Sequence, residues 1–124
     1  NIEALTMVDI CRKQILPAAF AFSKQLADAM VSKHTVGVNY DAEKKIADKV
    51  SALTSCILAE VDELDEKLLG SKDVTGTEKI ARYYRDVVFS AMQSLRAVVD
   101  ELETITPEAL WPFPTYTDLL FSVR

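Results

Sequence analysis

Apolar residues recur at steps of three and four in three long runs, the spacing of one helix face. In the first run they fall at Leu5, Val8, Cys11, Ile15, Ala19, Phe22, Leu26 and Met30. The second run is Ile46, Val50, Leu53, Ile57, Val61, Leu64 and Leu68. That is a near-heptad seam of the kind used in helix bundles. Its other faces carry Lys44, Lys45, Asp48, Lys49, Glu60, Glu63 and Glu66. The third run is Ile80, Tyr84, Val87, Ala91, Leu95, Val98, Leu102 and Ile105, widened by Val88, Met92 and Val99. A face this wide reaches two neighbours, so the third helix is expected to pack centrally.

The breakers set the boundaries. Gly37, then Gly70 with Gly76, then Pro107, Pro112 and Pro114 interrupt the pattern. They predict helices over about 1–35, 41–69 and 76–105, and a tail over 106–124. Gly70 stands where a left-handed C-cap is expected. Thr75-Gly76-Thr77-Glu78 reads as a capping box. Pro17 lies inside the first run, lacks an N–H and crowds the carbonyl four residues back. The stripe continues in phase past it, so a kink is expected there and not a break.

The tail changes character. Thr106-Pro107-Glu108 reads as an N-cap with proline at the first helical position. Trp111-Pro112-Phe113-Pro114 is expected to be extended, because a residue before proline avoids the helical region. Thr115 to Asp118 repeats the capping-box pattern and starts a short helix through Leu119, Leu120 and Phe121. The aromatics Trp111, Phe113, Tyr116 and Phe121 are expected to clasp the bundle; a partner-binding patch is the other reading. The fold class is therefore all-α: an up-down bundle of three long helices, the first kinked at Pro17, with an aromatic and proline-rich C-terminal tail carrying a short helix.

Composition narrows the function more than the fold. The 124 residues are one domain's worth, and 49% apolar content excludes low-complexity disorder. Only three glycines suit long helices and not a turn-rich β-fold. The net charge of −5 argues against a nucleic-acid partner. No run of about 18 apolar residues occurs, so no membrane partner is expected. The opening lacks the basic and apolar regions of a secretory signal. The first residue is Asn1, and apolar periodicity is already running at Ile2 and Leu5. The chain therefore reads as a single helical domain, 1–124, cut from a longer polypeptide.

The candidate chemistry is thin. Cys11 and Cys56 sit on different predicted helices, with no C-x-x-C pair, and read as buried, reduced thiols of a cytoplasmic protein. His34, the one histidine, stands at a helix end and lacks the Lys expected close behind a phosphotransfer histidine. Glu60, Asp62, Glu63, Asp65 and Glu66 form an acidic run without the Glu-x-x-His pairs of a di-metal bundle, so a solvated face is expected. Arg82, Tyr83, Arg85 and Asp86 suit either a protein interface or an ordinary surface with an Arg82–Asp86 pair. No residue is assigned a catalytic, cofactor-binding or metal-binding role. Taken alone, these residues describe a helical interaction or scaffold domain.

Three stretches resemble something specific. They are MVDICRKQILP over 7–17, YYRDVVFSAMQSLRAVVDELE over 83–103 and WPFPTYTDLLFSVR over 111–124. In order and spacing they resemble the C-terminal region of type III glutamine synthetases, the long-chain bacterial branch of glutamate–ammonia ligases. Thr117 and Ser90 stand where that family often carries Gly and Pro. The resemblance implies a cytoplasmic, ATP-dependent parent enzyme of nitrogen metabolism. There glutamate's side-chain carboxylate is phosphorylated, ammonia attacks the acyl phosphate, and glutamine leaves with ADP and phosphate. It implies ATP with Mg²⁺ or Mn²⁺ as cofactors and stacked hexameric rings as the assembly. The partners implied are the catalytic domain of the same chain and neighbouring subunits. None of the family's nucleotide, metal or glutamate motifs lies in these 124 residues, so the domain itself is expected to serve assembly and stability. The alternative is a free-standing helical interaction or signalling module.

Overall fold

The computed structural model describes residues 2–111, and all regular structure among them is helical. The expected extended Pro112–Pro114 stretch, the short helix through Phe121 and the clasp residues Phe113, Tyr116 and Phe121 lie outside the described residues. Helix α1 (Ile2–Ile10) runs through a π turn (Cys11–Ile15) into α2 (Leu16–Val36). Helix α3 (Asp41–Gly70) follows and closes in a 3-10 turn (Ser71–Asp73). Helix α4 (Thr77–Tyr83), a second π turn (Tyr84–Val88) and α5 (Phe89–Ile105) make the third rod. A last 3-10 turn spans Glu108–Leu110. These rods match the three expected helices to within a residue or two.

The central helix is α3, not the third rod as the wide stripe suggested. It packs along α1 and α2 on one side and along α5 on the other. Its seam of Val50, Ile57, Val61, Leu64 and Leu68 is buried. Against it lie Val8, Cys11, Ile15, Ala19, Phe22 and Leu26 from the first rod, and Val88, Ala91, Leu95 and Leu102 from the third. Several stripe residues are more open than their spacing implied. Leu5 is 55% exposed and Ala4 takes the core position. Ile46 and Ile80 are exposed as well, while Leu53 and Met30 are half-buried. Leu5, Ile46 and Met30 lie toward the ends of their runs, where fewer neighbours remain to cover a side chain.

Pro17 perturbs the first rod one turn earlier than its own position. The missing N–H leaves the Lys13 carbonyl without its usual donor. Instead the Leu16 N–H donates to the Cys11 carbonyl, five residues back, and the chain takes one wide turn before α2. Cys11 and Ile15 both stay buried through it.

The α2–α3 connection is closed by local chemistry. Gly37 adopts φ +75°, and its N–H donates to the His34 carbonyl at 3.2 Å. The Val38 N–H donates to the Lys33 carbonyl at 2.8 Å, which completes a Schellman cap. Asn39 Oδ1 accepts the Asp41 N–H at 2.8 Å and opens α3. Lys33 and Glu43 form an ion pair across the turn, and that contact holds the Glu43 carboxyl below the usual carboxylate range.

Three expected caps are not formed. Gly70 has φ −62°, so it is right-handed helix and not a left-handed cap. Its need for glycine is steric: a Cβ there would stand 2.9 Å from the Tyr83 hydroxyl. Thr75 makes no capping bond; Gly76, at φ +92°, precedes α4 and no side chain caps it. Glu78 instead accepts from Arg82 at 3.2 Å. Thr106 turns its hydroxyl back to the Leu102 carbonyl at 2.7 Å. The following turn is closed by the Leu110 N–H on the Pro107 carbonyl at 3.0 Å.

Candidate functional site

The acidic run does more than face solvent. Arg12, in the first π turn, donates from Nη2 to Asp62 at 2.9 Å and from Nη1 to Asp65 at 3.1 Å. One guanidinium thus spans two carboxylates one helical turn apart on α3. The hydrogen bond that Arg12 donates to Asp62, reinforced by the one to Asp65, pushes the guanidinium's pKa further up. Glu63 takes a separate partner, Lys67 Nζ at 2.8 Å. Among the described residues no three His, Cys, Asp or Glu side chains come together as a metal-holding group. The sequence offered the acids at i and i+3 but no sign of their partner, which comes from about 50 residues away.

Tyr83 and Tyr84 work within the fold. The Tyr83 hydroxyl donates to the Lys67 carbonyl at 2.7 Å, and the Tyr84 hydroxyl lies 3.4 Å from Ser71 Oγ. Both rings therefore tie the third rod to the end of α3. Arg82 pairs with Glu78 and Arg85 with Asp86, so the expected Arg82–Asp86 pair is replaced by two others.

The two cysteines differ. Cys11 is 1% exposed, and burial pushes its thiol up to about 11. Cys56 is exposed, which corrects the reading of two buried thiols. It sits one residue before Ile57 and so points about 100° away from the α3 seam. The structure keeps both as free cysteines. His34 is exposed in the last turn of α2, with its ring edge-on to Tyr40 at 6.0 Å.

An open groove of about 500 Å³ runs between the first rod and α5. Met7, Ile10 and Ile15 form one wall, and Met92, Val99 and Trp111 the other. Trp111 is 8% exposed and joins the core cluster. Sequence reasoning placed Trp111 on the bundle but gave no sign of the groove. The walls follow from how α1 and α5 each lean on α3, which periodicity does not encode.

No helix among the described residues is long and apolar enough to cross a membrane. No family model and no solved structure matches the chain. Known proteins do. The chain is 32% identical to a glutamine synthetase of Butyrivibrio fibrisolvens, over 100% of its own length and 18% of that protein. It is 27% identical to a type-3 glutamine synthetase of Dictyostelium discoideum, over 98% of the chain and 17% of that protein. A glutamine synthetase of Bacteroides fragilis (strain YCH46) is 24% identical over 98% of the chain and 18% of its own length. The chain spans less than a fifth of each of these relatives. From end to end, it matches a region of glutamine synthetase that is folded here as three helical rods.

Proposed function

We propose that this chain is the C-terminal helical domain of a type-3 glutamine synthetase, a polypeptide that makes glutamine from glutamate, ammonia and ATP in the cytoplasm. The observation that carries this reading is the match along the whole chain to such enzymes, one of them named type-3. ATP and Mg²⁺ or Mn²⁺ belong to the remainder of that polypeptide. On α3, Asp62 and Asp65 are engaged by Arg12 and Glu63 by Lys67, which supports a structural use of these three acids.

Within that enzyme the domain serves assembly and stability. Phe20 and Val31, 56% and 67% exposed, are eleven residues apart and fall on nearly one line of α2. Large apolar side chains on one line suit a buried contact with the catalytic body or a neighbouring subunit of a stacked hexameric ring. The test uses the full-length polypeptide, with mass measured by light scattering and glutamine formation measured with ATP. A large ring with ATP-dependent synthesis is expected. Phe20→Asp with Val31→Asp is expected to shrink the ring while the domain's helical signal persists. A polypeptide without the activity would overturn the enzyme reading. Deleting residues 1–124 with no change in ring size or specific activity would overturn the assembly role.

A further inference from the structure

We propose that the second π turn makes the third rod a two-register element, in which Tyr83 and Tyr84 compete for one docking place on the end of α3. The turn holds one residue more than a regular helix would, because the Phe89 N–H donates to the Tyr84 carbonyl and not to that of Arg85. No proline stands between Thr77 and Phe89, so nothing covalent prevents the regular bonds. Wide turns are rare in helices, which leaves this one to be held by its attachments. On the α5 side the attachment is deep: Val88, Ala91, Leu95 and Leu102 are buried. On the α4 side it is shallow, and no residue from 69 to 87 is buried. Hydroxyl contacts mark the docked register there, Tyr83 to the Lys67 carbonyl at 2.7 Å and Tyr84 to Ser71 at 3.4 Å.

With α5 fixed, relaxing the wide turn to regular helix moves every upstream residue by one place. Helix α4 turns by about 100° and shifts by about 1.5 Å. Tyr84 then stands where Tyr83 stood, beside Gly70 and the Lys67 carbonyl. One tyrosine hydroxyl replaces another, so a tie to α3 exists in both registers. Ala81 takes the place of Ile80, which is already 38% exposed and loses little. At the far end of α4, Gly76 at φ +92° precedes a helix start that no side chain caps, and the turn is absorbed there. The change is one of surface shape. Lys79 and Arg82 line a shallow basin with Val74 and Val87 in the docked register, and both swing out of it in the other. This inference stands on the geometry of the rod and does not depend on which enzyme carries the chain.

The experiment is structure determination of the full polypeptide by cryo-electron microscopy in three variants. In Tyr83→Ala the regular register is expected: the Phe89 N–H on the Arg85 carbonyl, α4 turned by about 100° and the Tyr84 hydroxyl on the Lys67 carbonyl. In Tyr84→Ala the π turn and the bond from Tyr83 to Lys67 are expected to stay. Deleting Asp86 removes the extra residue and should give a regular rod with Tyr83 still on Lys67. A π turn retained in Tyr83→Ala, or α4 melted in it, overturns the proposal. A regular rod in Tyr84→Ala overturns it as well, because the register would then not follow the tyrosine on offer. So does a wide turn that persists without Asp86. Hydrogen exchange is the second reading. Amides 91–102 should exchange no faster in Tyr83→Ala than in the native protein, and lost protection there would mean that α4 does not move apart from α5.

Discussion

The first and third rods each contain one π turn, and they come by it differently. In the first, the turn over Cys11–Ile15 ends two residues before Pro17, whose missing N–H leaves the Lys13 carbonyl without its regular donor. In the third, the turn over Tyr84–Val88 has no proline or glycine in it. There the Phe89 N–H donates to the Tyr84 carbonyl five residues back, although ordinary α-helical partners were available. What distinguishes the second turn is its attachments. Tyr83 and Tyr84 reach the end of α3, and Val88 at the other end of the turn is buried in the core. One wide turn is dictated by covalent chemistry. The other satisfies tertiary contacts on both sides of it.

The sharpest way to separate the two is to remove the side chain each turn buries. Ile15→Ala leaves a cavity under the first turn and is expected to cost about 2–5 kcal/mol in urea unfolding. Val88→Ala removes less and is expected to cost about 1–3 kcal/mol. Leu95, 0% exposed beyond the second turn, should match Ile15 at about 2–5 kcal/mol, and the half-buried Leu53 should fall below both. A larger loss at Val88 than at Ile15 would mean that the second turn is the better packed.

The same contrast explains what could be read from the sequence. The three helices, their ends at 36, 41, 70, 77 and 105, and most of the core follow from step spacing and breakers, because both are local. Pro17 announces its own irregularity for the same reason. The second π turn, the Arg12 clamp and the steric need for Gly70 are contacts between residues 13 to 53 positions apart. No spacing rule carries them. Gly70 is the clearest case: the sequence offered a familiar cap, and the structure needs the glycine for a tyrosine hydroxyl. The groove at Trp111 was hidden because it depends on how two rods lean on a third.

Raising the pH probes the first turn through Cys11, when the profile is compared with that of a variant lacking the thiol. Below pH 9 the Cys11 thiol is protonated folded or unfolded, and its contribution to stability is complete. Between pH 9 and about 11 the unfolded chain loses the proton while the buried thiol keeps it, so stability falls. The loss across that window is about 2–3 kcal/mol, and Cys11→Ala should be free of it. Parallel pH profiles for the two proteins would mean that the thiol is not held in the core. At pH 8 the exposed Cys56 should react with iodoacetamide well before Cys11.

The tertiary origin of the second turn is open to a double-mutant cycle. Tyr83→Phe removes the hydroxyl that reaches Lys67 and is expected to cost about 1 kcal/mol. Gly70→Ala adds a methyl 2.9 Å from that hydroxyl, so the clash offsets the helix-propensity gain. In the Tyr83→Phe background the clash is gone, and Gly70→Ala should stabilise by about 0.5–1 kcal/mol. Additive single and double variants would show that the two residues do not meet.

The smallest effect belongs to the Arg12 clamp, which links the first turn to α3 as the tyrosines link the second. Its geometry is good: two nitrogens on two carboxylates at 2.9 and 3.1 Å. Its exposure limits what that geometry is worth, because Arg12 is 41% exposed and Asp62 59%. Solvent screens such pairs, so Arg12→Ala is expected to cost about 1 kcal/mol or less, and less still at 1 M salt. Removing Arg12 also leaves two carboxylates one turn apart with no counter-charge between them. Asp62→Asn in the Arg12→Ala background should therefore recover part of the loss at low salt, as the like-charge repulsion is relieved. A cost as large as that of Ile15→Ala would place the origin of the first turn in this tertiary tie as well, and the contrast between the two turns would then disappear.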